Sequence, residues 1–474
     1  GGGMWLVLLV GLAASGSTAR LHAGGSTARP HAGVSRLRAK PVLVEDVATF
    51  RRLLDEDMLQ LGQLDVRGDT SVLREKDKSA HPVLVALRQR AAAGSQPGQR
   101  DDGMRIGLAI EGGGMRGAVG AGMVAALHEL GFDDSFDAVY GSSAGALVGA
   151  YFISQQLPRY GPSVYYECLG NAGKAFINPI QLVRSVGLGA LQLTQWVKNP
   201  RGLGPPALNL DYLLVDVMQR DRPLDWAAFW TRNEHTPLRV LASGLKTQKP
   251  FVMGSREECF NSLPELAHCL RASMLLPGIT GPPIELSGRA LEFVNEPLAD
   301  AVLTEPVPYR AAIAEGCTHV LVLRTQPDGK RVSKKLSLGE ALIAKRYFGR
   351  KFKNPKMLQH MLTQVPKRLY VEDILLLNEG ANGQEVEVPI DKHFPTGNGQ
   401  SAKGYLMPIA LPEGSDEIGR LQTRPLPILK AIQRGFVAAY DLLSPDALDD
   451  PAGRSTGEEV VMRVFPDALV EPAI

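Results

Sequence analysis

The chain changes its rhythm of apolar and polar positions near residue 104. Between residues 41 and 103, two stretches read as helix, EDVATFRRLLDEDMLQLG from Glu45 and HPVLVALRQRAAA from His81. A polar run with no apolar face, GSQPGQRDDG from Gly94, follows them and reads as a linker. From Met104 onward, short apolar runs alternate with longer stretches. Residues 106–110 and 136–140 predict buried strands, and each leads through a glycine-dense turn into a helix, over 118–130 and 144–153. Further strands are predicted in LRVLASGLKT from Leu238 and THVLVLRT from Thr318. Residues 160–235 read as mainly helical, with LNLDYLLVDVMQ from Leu208 the clearest amphipathic stretch. Strands alternating with helices imply a mostly parallel sheet covered on both faces. After Pro327 the alternation fades into a basic segment and then a loop-rich tail containing Pro and Gly.

Composition changes this picture little. The 474 residues, 44% hydrophobic and 22% charged, suit a globular protein with a substantial core. A net charge of +2 gives no pull toward nucleic acid. The four scattered cysteines lack metal-ligand spacing and are too few for a disulfide framework, so they read as reduced, buried thiols. No apolar run approaches the roughly 18 residues of a membrane-spanning helix. The N-terminus departs from the rest. Residues 4–14 have the length of a signal-peptide apolar region, GSTARLHAG is nearly repeated as GSTARPHAG, and no acidic residue precedes Glu45. Such a leader predicts a plastid or secretory address. The expected division is a leader over 1–40, a helical extension and linker over 41–103, a catalytic α/β unit over 104–326, and a basic, loop-rich extension over 327–474.

The two glycine turns carry the candidate chemistry. Gly141-Ser142-Ser143-Ala144-Gly145 fits the G-x-S-x-G nucleophile elbow, with Ser143 at its apex beside a helix N-terminus. Gly141 and Gly145 suit a turn too tight for side chains. Upstream, Gly112, Gly113, Gly114, Met115, Arg116 and Gly117 follow a strand and open a helix, so their amides can converge on one anion. Read alone, that loop also suits a phosphate or dinucleotide. However, Asp133 and Asp134 precede the next apolar run instead of ending it, and no G-K-[ST] follows the glycines. Together the two turns argue for acyl transfer through a serine, which needs a base to take its proton. None of the nine histidines sits in a motif marking it as that base, and His128 and His319 read as structural. Asp300, before a small residue and a turn through Pro306 and Pro308, is the better candidate, with Glu296 as a minor rival.

With these blocks in place, the chain resembles the patatin-like phospholipase family, whose members use a Ser–Asp dyad without histidine. GGGMRG matches the oxyanion-loop pattern G-G-G-x-R-G, GSSAG the elbow, RASMLLPGI from Arg271 the A-S-x-x-x-P segment, and Asp300 the aspartate block. The similarity covers about residues 104–326. The family usually has Asp-Gly followed by Gly or Ala, whereas here Ala301 and a bulkier Val302 follow Asp300. The resemblance implies a three-layer α/β/α fold with a mostly parallel central sheet. It also implies a carboxylic ester hydrolase acting on phospholipid, galactolipid or neutral glyceride, without metal, cofactor or nucleotide. Ser143 would be the nucleophile, Asp300 the base and the Gly112–Gly114 amides the oxyanion hole. Arg116 is either a clamp for the glycine loop or a contact for an anionic head group. A lipid transacylase with the same dyad and a catalytically silent lipid-binding module are the alternatives. Residues 330–356 hold ten cations, one acid (Glu340) and three aromatics (Tyr347, Phe348 and Phe352). That segment is expected either to dock on an anionic membrane or to pack its aromatics on the core.

Overall fold

A computed structural model describes residues 40–75, 80–181, 206–277, 279–286, 295–390, 401–444 and 456–465. Apart from Lys40, the N-terminal leader lies outside the described residues. In chain order the strands are β1 (Val42–Leu43), β2 (Leu64–Asp65), β3 (Ile106–Ile110), β4 (Ala138–Ser142), β5 (Leu238–Gly244) and β6 (Pro250–Met253). They continue with β7 (Ile284–Glu285), β8 (Pro297–Asp300), β9 (His319–Leu323), β10 (Glu385–Pro389) and β11 (Ser401–Ile409). The helices used below are α1 (Val47–Asp55), α2 (Pro82–Ala93), α3 (Gly117–Glu129), α4 (Ala144–Ile153) and α5 (Leu263–Met274). Later come α6 (Tyr309–Ala314), α7 (Leu338–Ala344), α8 (Val365–Gly380) and α9 (Pro425–Leu443).

Among the described residues, nine strands form one mixed sheet in the order β10-β11-β9-β3-β4-β5-β8-β7, with β6 also paired to β5. Its centre, β11-β9-β3-β4-β5, is parallel, and the strands flanking it are antiparallel. The central strands are apolar on both faces. Ile106, Leu108 and Ile110 of β3 pack into one core and Ala109 into the other. In β9, Leu321 and Leu323 oppose Val320 and Val322 in the same way. Successive strand residues point to opposite faces, so such runs persist only where helices cover both sides. The helices α3, α4 and α9 cover the first face; α6 and α8 cover the second.

Register on β5 matters most for the site. Strand β4 pairs with β5 up to Ser142↔Leu241, and β8 takes over with Asp300↔Ala242. The residue before Ser143 and the aspartate therefore lie opposite consecutive residues of one strand.

Two expectations change. The stretch 94–103 is no free linker. Arg90 of α2 is buried, pairs with Asp102 at 2.8 Å and Asp137 at 2.7 Å, and donates to the Ser135 and Met104 carbonyls. Burying a guanidinium requires such partners, and Asp102 of the polar run supplies one. Nor is the region after 327 a loop-rich tail, since it supplies β10, β11, α8 and α9. The polar start of β11 and the Pro and Gly residues of α9 mask these elements in sequence. Two of the cysteines, Cys269 and Cys317, are buried, whereas Cys168 and Cys259 are half-buried; none of the four forms a disulfide among the described residues. Among the described residues no helix is long and apolar enough to cross a membrane.

Helix α9 packs on α3 through a reciprocal pair of glycines. A Cβ on Gly435 would lie 2.1 Å from the Val119 carbonyl oxygen, and one on Gly122 would lie 1.9 Å from that of Ile432. Backbones this close leave no room for side chains. Gly435→Val is therefore expected to lower unfolding stability by about 3 kcal/mol, read by thermal denaturation. An unchanged melting temperature would show that the contact is not this tight.

Candidate active site

Strand β4 ends at Ser142, and the chain reverses at Ser143 into α4. Ser143 has φ 52° and ψ −123°, a conformation L-residues rarely adopt. The crowding that forces the turn also explains its glycines. A Cβ on Gly145 would lie 2.2 Å from the Ile110 carbonyl oxygen, and one on Gly141 would lie 2.3 Å from the Ala146 Cα. The Ser143 amide donates to Ser273 Oγ at 2.8 Å, so the serine of the A-S-x-x-x-P segment, carried on α5, pins the elbow. Ser143 itself is 9% exposed.

Its hydroxyl donates to Asp300 Oδ2 at 3.0 Å. Asp300 ends β8 and is held on every side. Its amide donates to the Leu275 carbonyl at 2.7 Å, its carbonyl accepts from Ser243 Oγ at 2.8 Å, and Oδ1 accepts from the Val302 amide at 2.8 Å. Burial pushes the carboxyl up to about 6; the Val302 amide, the Ser143 hydroxyl and the charge of Arg420 restrain the rise. The unusual Val302 thus fixes Asp300 through its backbone, which any non-proline residue would provide, while its side chain lines the cavity. Glu296 is used elsewhere, accepting from the amides of Lys246 at 2.8 Å and Thr247 at 3.2 Å. His128 pairs with Asp133, His319 lies beside Tyr405, and no histidine among the described residues lines the cavity.

The glycine loop passes directly over the elbow. A Cβ on Gly112 would lie 2.7 Å from the Ser142 carbonyl and 3.0 Å from Ser143 Cβ. Its amides divide into two groups. Gly112 donates to the Pro306 carbonyl at 3.2 Å, Met115 to that of Arg420 at 3.1 Å, and Arg116 to that of Gly113 at 3.3 Å. The Gly113 and Gly114 amides make no hydrogen bond among the described residues. Arg116 is buried and pairs with Glu417 at 3.3 Å, which is the arrangement of a clamp. Gly117 opens α3, where a Cβ would meet Ala144 Cβ at 2.8 Å.

Several contributing residues carried no readable signal. Glu111, just ahead of the loop, accepts from the Thr325 amide at 2.5 Å and the Tyr370 hydroxyl at 2.9 Å, while Thr325 Oγ1 donates to the Gly112 carbonyl at 3.0 Å. A carboxylate abutting GGG was the one hint of this brace. Nothing in the sequence marks Arg420 or Glu417.

The serine and aspartate open onto a cavity of about 430 Å³. One part of its wall is apolar, with Leu147, Leu169, Phe176, Leu210, Leu213 and Met274. Another is cationic, with Lys330, Lys334, Lys367 and Arg420. Lys330 and Lys367 are paired, to Glu417 and Glu340. Arg420 and Lys334 make no ion pair among the described residues. Burial and then the nearby Arg116 push the Arg420 guanidinium down to about 10, and desolvation together with Arg116 and Arg420 lowers the Lys334 ammonium. Cations that depress one another across a cavity favour an anion between them.

Residues 108–313 match the patatin family, described as patatin-like phospholipase. No curated protein matches the chain. Among solved structures, VipD from Legionella pneumophila is similar at 16% identity over 72% of this chain and 66% of its own, with a TM-score of 0.31. Human GIVD cytosolic phospholipase A2 in complex with methyl gamma-linolenyl fluorophosphonate aligns at 13% identity over 83% of this chain and 64% of its own, with a TM-score of 0.38. The chain thus spans about two thirds of the length of either structure. The matched segment, a patatin-like phospholipase domain over residues 108–313, contains the elbow, the glycine loop and Asp300.

Proposed function

We propose that the protein is a serine lipid acyl hydrolase working through Ser143 and Asp300. The observation that carries this reading is the 3.0 Å hydrogen bond from Ser143 Oγ to a buried carboxylate at the edge of a largely apolar cavity. Asp300 takes the hydroxyl proton as Ser143 Oγ attacks the ester carbonyl, and the unengaged Gly113 and Gly114 amides receive the oxyanion. Asp300 then passes its proton to the departing alcohol, and water activated by the same carboxylate hydrolyses the acyl-enzyme. An alcohol in place of water would give transacylation with the same residues. The Gly112 amide, included in the oxyanion set by sequence, is already spent on Pro306 and drops out of the role. The unpaired Arg420 and Lys334 favour a phosphate-bearing glycerolipid over a galactolipid or neutral glyceride. The N-terminal leader, on its sequence pattern alone, assigns a plastid or secretory route.

Ser143→Ala is expected to lower ester turnover by about 10³-fold or more while leaving the melting temperature nearly unchanged. Retained turnover would move the nucleophile elsewhere.

Asp300 acts as a base only when ionised, so kcat/KM should fall below about pH 6. Because its folded pKa is raised, the group's stabilising contribution is present at low pH and is lost as pH rises from about 3.8 through about 6. Asp300→Asn should therefore lose turnover yet melt no lower than wild type at pH 8. Substantial residual activity, or an acid limb that survives the substitution, would reject Asp300 as the base.

Fatty-acid release from a panel of phospholipid, galactolipid and triacylglycerol should favour phospholipid, and Lys334→Gln should narrow that preference about tenfold. Equal rates across the panel in wild type would remove the head-group assignment.

A further inference from the structure

The basic segment 330–356 is built differently from the docking element its aromatics suggested. Tyr347 and Phe348 are buried, and Phe352 packs against both, stacked on Tyr347 at 6.4 Å and tilted against Phe348 at 6.5 Å between ring centres. The apolar residues left outside are Leu338, 87% exposed, and Leu342, 61% exposed. They lie four residues apart on α7 and so share one face of it. The opposite side of the same segment belongs to the site, because Lys334, Lys335, Leu336, Ser337 and Glu340 line the catalytic cavity. Glu340 is turned inward, accepting from the Ser337 amide at 2.6 Å and from Lys367 at 2.6 Å.

Cations follow the two leucines in the sequence. Lys345, Arg350, Lys353 and Lys356 are exposed and make no ion pair among the described residues. Lys351 sits over the Tyr347 ring at 5.8 Å. The one acid of the segment is buried and already paired, so no carboxylate of the segment itself opposes this charge. Single exposed leucines are ordinary. Two on one helical face, beside unpaired cations and on a segment whose other side lines the cavity, have the makeup of a surface that enters a lipid interface.

We propose that Leu338 and Leu342 insert into an anionic phospholipid surface held by these exposed lysines and Arg350, bringing the wall of the Ser143 cavity against the lipid. The purpose of this docking rests on the lipid-hydrolase reading, but the contact itself does not require turnover. The test uses the full chain in a Ser143→Ala background, sedimented with vesicles of phosphatidylcholine with and without phosphatidylglycerol. Binding is expected to be stronger on the anionic vesicles and to weaken with salt. Leu338→Ser/Leu342→Ser should reduce it about tenfold, and Lys345→Glu/Lys353→Glu should reduce it on anionic vesicles only. With Ser143 present, both double variants should retain turnover of a soluble short-chain ester within about twofold. Unchanged vesicle binding in the leucine variant would overturn the proposal. So would a wild-type dimer that this variant dissociates without affecting vesicle binding, because the partner would then be a second copy. Absence of soluble-ester turnover in wild type would instead reject the hydrolase reading and leave the docking result standing.

Discussion

The backbone at Ser143 occupies a region that costs an L-residue about 1–3 kcal/mol, and it stays there because neighbouring segments close in on the turn. The end of β3 presses the Ile110 carbonyl against Gly145, the glycine loop presses Gly112 against the Ser142 carbonyl, and Ser273 holds the Ser143 amide. A turn so confined can relax only by separating β3, β4 and the loop, which the flanking cores on both faces oppose. The reversal aims the hydroxyl away from its own strand, toward the carboxylate at the end of β8. The geometry of Ser143 is thus a consequence of sheet packing.

Asp300 is held differently from several buried arginines of the protein. Arg90 is matched by Asp102 and Asp137, Arg239 by Glu257 and Glu315, and Arg310 by Asp373. Asp300 has two hydrogen-bond donors and no ion-pair partner among the described residues. A bidentate arginine would stabilise the carboxylate and weaken it as a base, whereas burial raises its affinity for a proton. A nearby but unpaired Arg420 limits that rise.

The site also reaches well beyond the segment that matches the family. Arg420 accepts the Met115 amide through its carbonyl, Glu417 clamps Arg116, Thr325 and Tyr370 brace the loop through Gly112 and Glu111, and α9 lies against α3 through Gly435 and Gly122. The C-terminal region therefore completes the sheet, supports the glycine loop and forms the cationic wall. Its resemblance to a tail arose from local composition. Pro408 sits in a strand, and Gly435 lies mid-helix at the point where two backbones meet.

The sequence alone determined those features whose physical cause is local. Buried strands announce themselves as short apolar runs, and a strand-to-helix reversal needs glycines on either side of its serine, so β3, β4, α3, α4 and the elbow were legible. The glycine loop was legible for the same reason, although which of its amides remain unengaged was not, because their competitors, Pro306 and Arg420, lie far along the chain. Only tertiary structure decided that Ser143 meets Asp300, through the register of β4 and β8 on consecutive residues of β5. It also decided that Glu296 is spent elsewhere, that Arg116 pairs with Glu417, and that Leu338 and Leu342 rather than the aromatics are exposed. Each of these depends on a partner far along the chain or on which side of a helix the core lies, and neither is encoded in the spacing of neighbouring residues.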